Sequence, residues 1–146
     1  MSDNFKMEEK LFSIDNELDR FDYLTDIALA GEKMNPDDIR DENRLVSCET
    51  KTWYTLTTRS DGRIELRAES DSLFVKGLIE IMAEIVRQTS VAELADGRES
   101  IGFAQRCYEH DIIDLKRKNG LISLEKEIIK FAKIYHFSGG NHEKSN

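Results

Sequence analysis

The sequence predicts an α+β fold, with one small antiparallel sheet of about three strands packed against helices on one side. Three observations predict it. Apolar residues recur at helical spacing before residue 31 and again after residue 72, and between these stretches the period changes to two. A Ser60-Asp61-Gly62 string lies in the period-two region, where glycine's tolerance of positive φ suits a hairpin. The 146 residues fit one domain, long enough to bury roughly two thirds of its unfolded surface without help from a disulfide or a metal.

The first element is read over Ile14 to Ala30. Ile14, Leu18, Phe21, Leu24 and Ala28 share a face, and Asp19, Arg20, Asp22 and Asp26 fall elsewhere on the wheel, so one amphipathic helix is expected, with Gly31 as its stop. The acidic stretch Asn35 to Asn43, which contains the sole proline, Pro36, reads as a solvated linker. Leu45 to Ser47 is a candidate short strand. Trp53 to Thr58 is aromatic and β-branched, with Trp53 expected to anchor the core. Beyond the turn, Ile64, Leu66 and Ala68 alternate with Arg63, Glu65 and Arg67 as a half-buried strand.

The remainder is helical. Ser72 to Arg87 carries Phe74, Val75, Leu78, Met82, Ile85 and Val86, with Ser72 as N-cap. Gly77 inside it costs helix stability, which predicts a close helix–sheet contact there. Short helices are expected from Ser90 to Leu94 and from Ser100 to Tyr108. A last helix carries Leu121, Leu124, Ile128, Phe131 and Tyr135 on one stripe. Residues 1–137 are read as a single domain and residues 138–146, polar and glycine-containing, as a frayed tail.

Charge and apolar content exclude several function classes. The net charge is −8 and no basic stripe is visible, which argues against nucleic acid and against an anionic membrane surface. The most apolar stretch, Leu73 to Val86, is broken by Lys76, Glu80 and Glu84, so no bilayer span is expected. Met1 to Lys10 lacks the basic start and apolar core of a signal peptide. Two cysteines make no disulfide framework, and a cytoplasmic protein with reduced thiols is expected.

Cys48 is the residue on which chemistry is most readily built. Its neighbours Ser47, Glu49, Thr50 and Lys51 are polar, which places it on a loop at the sheet's end. Two readings stand at this point: a small filler at a strand end, or a nucleophilic thiol. Lys51 and Arg44 favour a thiolate and Glu49 opposes it. Metal binding needs converging ligands, and His110, His136 and His142 are all distant in sequence, so no metal is expected. No motif supports a Cys-His-Asn triad with His110 or His136. Cys107, beside Phe103 and Ala104, reads as structural.

Read as one ordered string, the chain runs Asn43 to Trp53 around Cys48, then Asp61-Gly62, Glu69-Ser70-Asp71-Ser72, Val75-Lys76-Gly77-Leu78, and late Lys116-Arg117-Lys118-Asn119-Gly120-Leu121. In this order and spacing it resembles the SufE family of sulfur acceptors, over about residues 14 to 135. The resemblance implies a SufE/IscU-like fold and a partnership with a pyridoxal-phosphate cysteine desulfurase. It implies that Cys48 takes sulfur from the desulfurase's persulfide and passes it to an iron–sulfur scaffold. The acceptor itself needs no cofactor, in keeping with the lack of a glycine-rich phosphate cradle here. Ser47, Glu49, Asp71 and Arg117 become candidates for holding the Cys48 loop or meeting the partner.

The chain departs from the pattern around the thiol. Where the family reads G-C-Q-S-x-V-W, this sequence has Ser47-Cys48-Glu49-Thr50-Lys51-Thr52-Trp53, and the family's serine before the late arginine is Lys116. Serine for glycine removes conformational freedom, and Glu49 adds a negative charge beside the thiol. A non-catalytic adapter that docks on and modulates a desulfurase is the second reading. A thiol-redox protein that pairs Cys48 with Cys107 is the third, although the chain lacks a C-x-x-C pair.

Overall fold

The computed structural model describes residues 5–96 and 101–140. Among these residues, six α-helices and one hairpin follow in the order α1 (Lys6–Ser13), α2 (Glu17–Ala30), β1 (Thr52–Thr58), β2 (Ile64–Ser70), α3 (Leu73–Gln88), α4 (Val91–Asp96), α5 (Phe103–Glu109) and α6 (Leu115–Ile134). The α+β class is as predicted. The sheet has two antiparallel strands, registered from Thr52↔Ser70 to Thr58↔Ile64. The expected third strand at Leu45–Ser47 is reduced to an isolated Arg44↔Trp53 bridge and a Leu45 N–H donating to the Thr52 carbonyl at 2.8 Å. The chain turns there, with the Cys48 N–H donating to the Leu45 carbonyl at 3.2 Å, and a turning chain cannot extend a ladder.

The N-terminal half of the first expected helix is different in the structure. Ile14 caps the end of α1, an element the periodicity does not reveal, and α2 starts at Glu17. Asn16 fixes that start, its side-chain oxygen accepting the Asp19 N–H at 2.8 Å. The reset breaks the stripe: Leu24 and Ala28 are buried, but Leu18 is 69% and Phe21 48% exposed. Helix α1 is held by fully buried Leu11 and by Glu8, which pairs both oxygens with the Arg106 guanidinium of α5.

Helix α3 is the centre of the fold. Ser72 caps it by accepting the Val75 N–H at 3.1 Å, and Val75, Leu78, Ile79, Ile81, Met82, Ile85 and Val86 are all buried. It packs between α2 and the β2 side of the hairpin. Gly77 meets α2, not the sheet: a Cβ there would lie 2.3 Å from the Leu24 carbonyl oxygen. Lys76 is buried beside it, donating to the Ala68 carbonyl at 3.0 Å, to Glu80 at 3.2 Å and to the Glu32 carbonyl at 3.4 Å. Those partners replace the water a buried ammonium loses. Glu80's carboxyl is pushed up by burial, an effect its Lys76 partner opposes.

Trp53 does not anchor the main core. In β1 the core-facing positions are Thr52, Tyr54 and Leu56, with Thr52 fully buried. Trp53, one step out of phase, lies half-buried on the other face. The linker passes β1 as two short turns, Pro36–Asp38 and Asp41–Asn43.

The later helices keep their predicted order. Ser90 and Glu93 form a reciprocal capping box at the start of α4. Ser100, the expected start of the next helix, lies outside the described residues, and α5 runs from Phe103. Helix α6 continues into a π-helical turn, Tyr135–Gly140; the rest of the expected tail, residues 141–146, lies outside the described residues.

Candidate functional site

The turn Leu45–Cys48 projects Val46, which is 87% exposed, and folds Cys48 back so that it is half-buried against the core. Ser47 does not need glycine's freedom, because Asp111 is the one non-glycine residue with positive φ among the described residues. Lys51 ends the loop, its carbonyl accepting the Asp71 N–H at 2.9 Å. That bond ties the loop to the junction of β2 and α3. Asp71 contributes through its backbone, and its side chain is exposed.

The other wall is the first turns of α6. Asp114 caps this helix, accepting the Arg117 N–H at 2.9 Å. Gly120 lets the helix approach the loop: a Cβ there would lie 3.3 Å from the Ser47 carbonyl oxygen. Ser47 Oγ in turn donates to the Gly120 carbonyl at 3.5 Å. A cavity of about 40 Å³ opens between these walls, lined by Cys48, Glu49, Thr50, Val75, Asp114, Lys116, Arg117 and Gly120. Arg117 also stacks on the Phe74 ring at 5.4 Å.

Two charged side chains distant in sequence meet at this rim. Lys116 Nζ donates to Glu49 Oε2 at 2.7 Å, and this bond pushes the ammonium above its ordinary range. The negative charge added beside the thiol is therefore paired with a cation from α6. Of the sequence candidates, Cys48, Glu49 and Arg117 line the cavity and Ser47 buttresses it from the loop.

Thr52 is the site residue that sequence reasoning missed. Its Oγ1 lies 3.6 Å from Cys48 Sγ, 3.0 Å from the Thr50 carbonyl oxygen and 2.9 Å from Ser70 Oγ. A polar side chain in phase with Tyr54 and Leu56 on the core face of β1 is the signal that marks it.

His110, His136 and Cys107 stand apart from the site, and His142 lies outside the described residues. His110 stacks on Phe12 at 4.2 Å, with Nδ1 2.9 Å from the Arg106 carbonyl oxygen. No group of three or more His, Cys, Asp or Glu side chains among the described residues is arranged to hold a metal ion. Cys107 is fully buried, and burial pushes its thiol far up. A thiol that stays neutral in the fold but ionises in the unfolded chain adds stability below its ordinary value of 9.0 and loses it as pH rises above. The advantage of wild type over Cys107→Ala is expected to narrow by about 1.4 kcal/mol per pH unit once pH exceeds about 9. Urea unfolding of both proteins at pH 8, 9 and 10 measures it, and a constant gap would contradict it.

No helix among the described residues is long and apolar enough to cross a membrane. A solution structure of a hypothetical protein from Thermus thermophilus has a similar fold, with a TM-score of 0.60 over 84% of this chain and 90% of that one, at 19% sequence identity. The family model of the SufE Fe-S metabolism associated domain matches residues 6–132.

Proposed function

The chain belongs to the SufE family, an Fe–S metabolism associated domain, and on that premise we propose that Cys48 accepts sulfur from a cysteine desulfurase and relays it to iron–sulfur cluster assembly. The observation that carries the reading is the setting of the thiol. Cys48 is a free, half-buried cysteine behind an exposed turn, at a cavity rimmed by Lys116 and Arg117. Such a thiol is shielded from indiscriminate oxidation yet stays partly open at the surface.

The transfer is an exchange at sulfur. The Cys48 thiolate attacks the outer sulfur of the desulfurase persulfide. A new S–S bond forms on Cys48, the desulfurase's S–S bond breaks, and its cysteine leaves as a thiolate that solvent protonates. No electrons are gained or lost overall. A later exchange hands the outer sulfur to a scaffold. The pyridoxal phosphate belongs to the desulfurase, and the acceptor supplies only its thiol. Ser47 and Glu49 on the loop, with Asp71 and Arg117 beside it, hold the loop or meet the partner. Residues 1–137 act as one unit, in a reducing cytoplasm where free thiols persist.

Incubation with a desulfurase and cysteine is expected to add one sulfur per chain. Peptide mass mapping should locate it at Cys48, and reduction should release it as sulfide. Two oxygens add nearly the same mass, so sulfide release is the deciding readout. Labile sulfur mapped elsewhere, or none at all, contradicts the reading.

A further inference from the structure

Thr52 is polar, fully buried and next to the reacting sulfur. A buried hydroxyl is tolerated where hydrogen bonds replace the water it has lost. Here three acceptors surround one hydroxyl: the Thr50 carbonyl, Ser70 Oγ and Cys48 Sγ. The hydroxyl has one proton to give.

The local network narrows where that proton goes. Ser70 Oγ already accepts the Ser72 N–H at 3.1 Å, so its own proton is free to be donated to Thr52 Oγ1. With Ser70 donating, Thr52 has two acceptors left, the Thr50 carbonyl and the Cys48 sulfur. We propose that Thr52 is a switchable donor to Cys48, its O–H resting on the Thr50 carbonyl while the sulfur is a neutral thiol and turning onto Sγ when the sulfur is a thiolate. The turn is a rotation about the Cβ–Oγ bond. No proton changes its heavy atom.

The energetic case rests on the difference between the two acceptors. A hydrogen bond to an anion is roughly twice as strong as one to a neutral group, and more so where water is excluded. The charged groups lining the cavity with Cys48 are Glu49 from its own loop, Asp114 at the α6 cap, and Lys116 and Arg117 in α6, all exposed and therefore screened by solvent. On the inner side, Val75 of α3 and Ser70 of β2 carry no charge. Thr52 thus meets the sulfur from the dry side.

The proposal deepens the sulfur-acceptor reading and rests on it for its biological use, but its test needs no desulfurase. Iodoacetamide labels Cys48 by forming an S–C bond as iodide leaves, and the Cys48 peptide reports the rate. At one near-neutral pH, Thr52→Val, which keeps the shape and loses the donor, is expected to slow labelling about three- to tenfold. Thr52→Ser, which keeps the donor, is expected to stay within about twofold of wild type. The ultraviolet absorption of the thiolate should fall in Thr52→Val alone. An unchanged or faster rate in Thr52→Val overturns the proposal, as does a Thr52→Ser rate that falls equally far, since loosened packing would then be the cause. Failure here would leave the sulfur-loading result standing, and failed loading would leave the labelling result standing.

Discussion

Cys48→Ser is expected to lose all reducible sulfur uptake from a desulfurase and cysteine while keeping the wild-type fold. Serine is close to cysteine in size, and the half-buried site already holds hydroxyls at Thr52 and Ser70. The change in unfolding free energy should therefore stay within about 1 kcal/mol. The chemistry does not survive. A serine hydroxyl is not ionised near neutral pH, and it cannot carry sulfane sulfur as a persulfide. Cys107 does not take over, because it is fully buried and held neutral. Uptake should fall to the background of a protein without thiols. Equal reducible sulfur on wild type and Cys48→Ser would end the acceptor reading. If a desulfurase were accelerated equally by Cys48→Ala and wild type, the adapter reading would stand in its place. Complete absence of association with a desulfurase would count against both.

The fold was legible where the apolar period was strong and local. Helix α3 and the hairpin were read from Phe74 to Val86 and from Ser60-Asp61-Gly62, because those patterns need no distant partner. Helix α1 was hidden because its burial is long-range: Glu8 pairs with Arg106, 98 residues away. The α2 stripe failed at its start because Asn16 resets the helix, a cap that periodicity does not weigh. Trp53 shows another limit. Alternation assigns residues to two faces but does not say which face meets the core, and here Thr52 takes the inner one.

The site was legible in part for the same reason. Cys48 stood out through its polar neighbours and the ordered family string. Its partners did not. Glu49 meets Lys116 across 67 residues, and Ser47 meets Gly120 across 73. Thr52 is an ordinary strand residue by propensity. Its proximity to the thiol follows from the Leu45–Cys48 turn, which folds the sulfur back over β1.

Gly77→Ala is expected to destabilise the protein by about 2–3 kcal/mol, although alanine is the better helix former by about 1 kcal/mol. The sign of the measured change decides which effect dominates. A Cβ at position 77 would lie 2.3 Å from the Leu24 carbonyl oxygen, 2.9 Å from its carbon and 3.0 Å from its Cα. These are backbone atoms of α2, so no side-chain rotation relieves the contact, and one helix must move as a body. Thermal unfolding should shift down by roughly 5–10 °C for a chain of this size. A stability equal to or above wild type would mean that α2 yields at no cost. The contact bears on function because α3 carries the inner wall of the site. Its cap, Ser72, donates its N–H to Ser70, and Val75 lines the Cys48 cavity. Displacing α3 from α2 therefore disturbs the side of the thiol that solvent does not reach. The requirement for glycine inside a helix is thus explained by the close approach of two helices, one of which holds Thr52, through Ser70, against the sulfur.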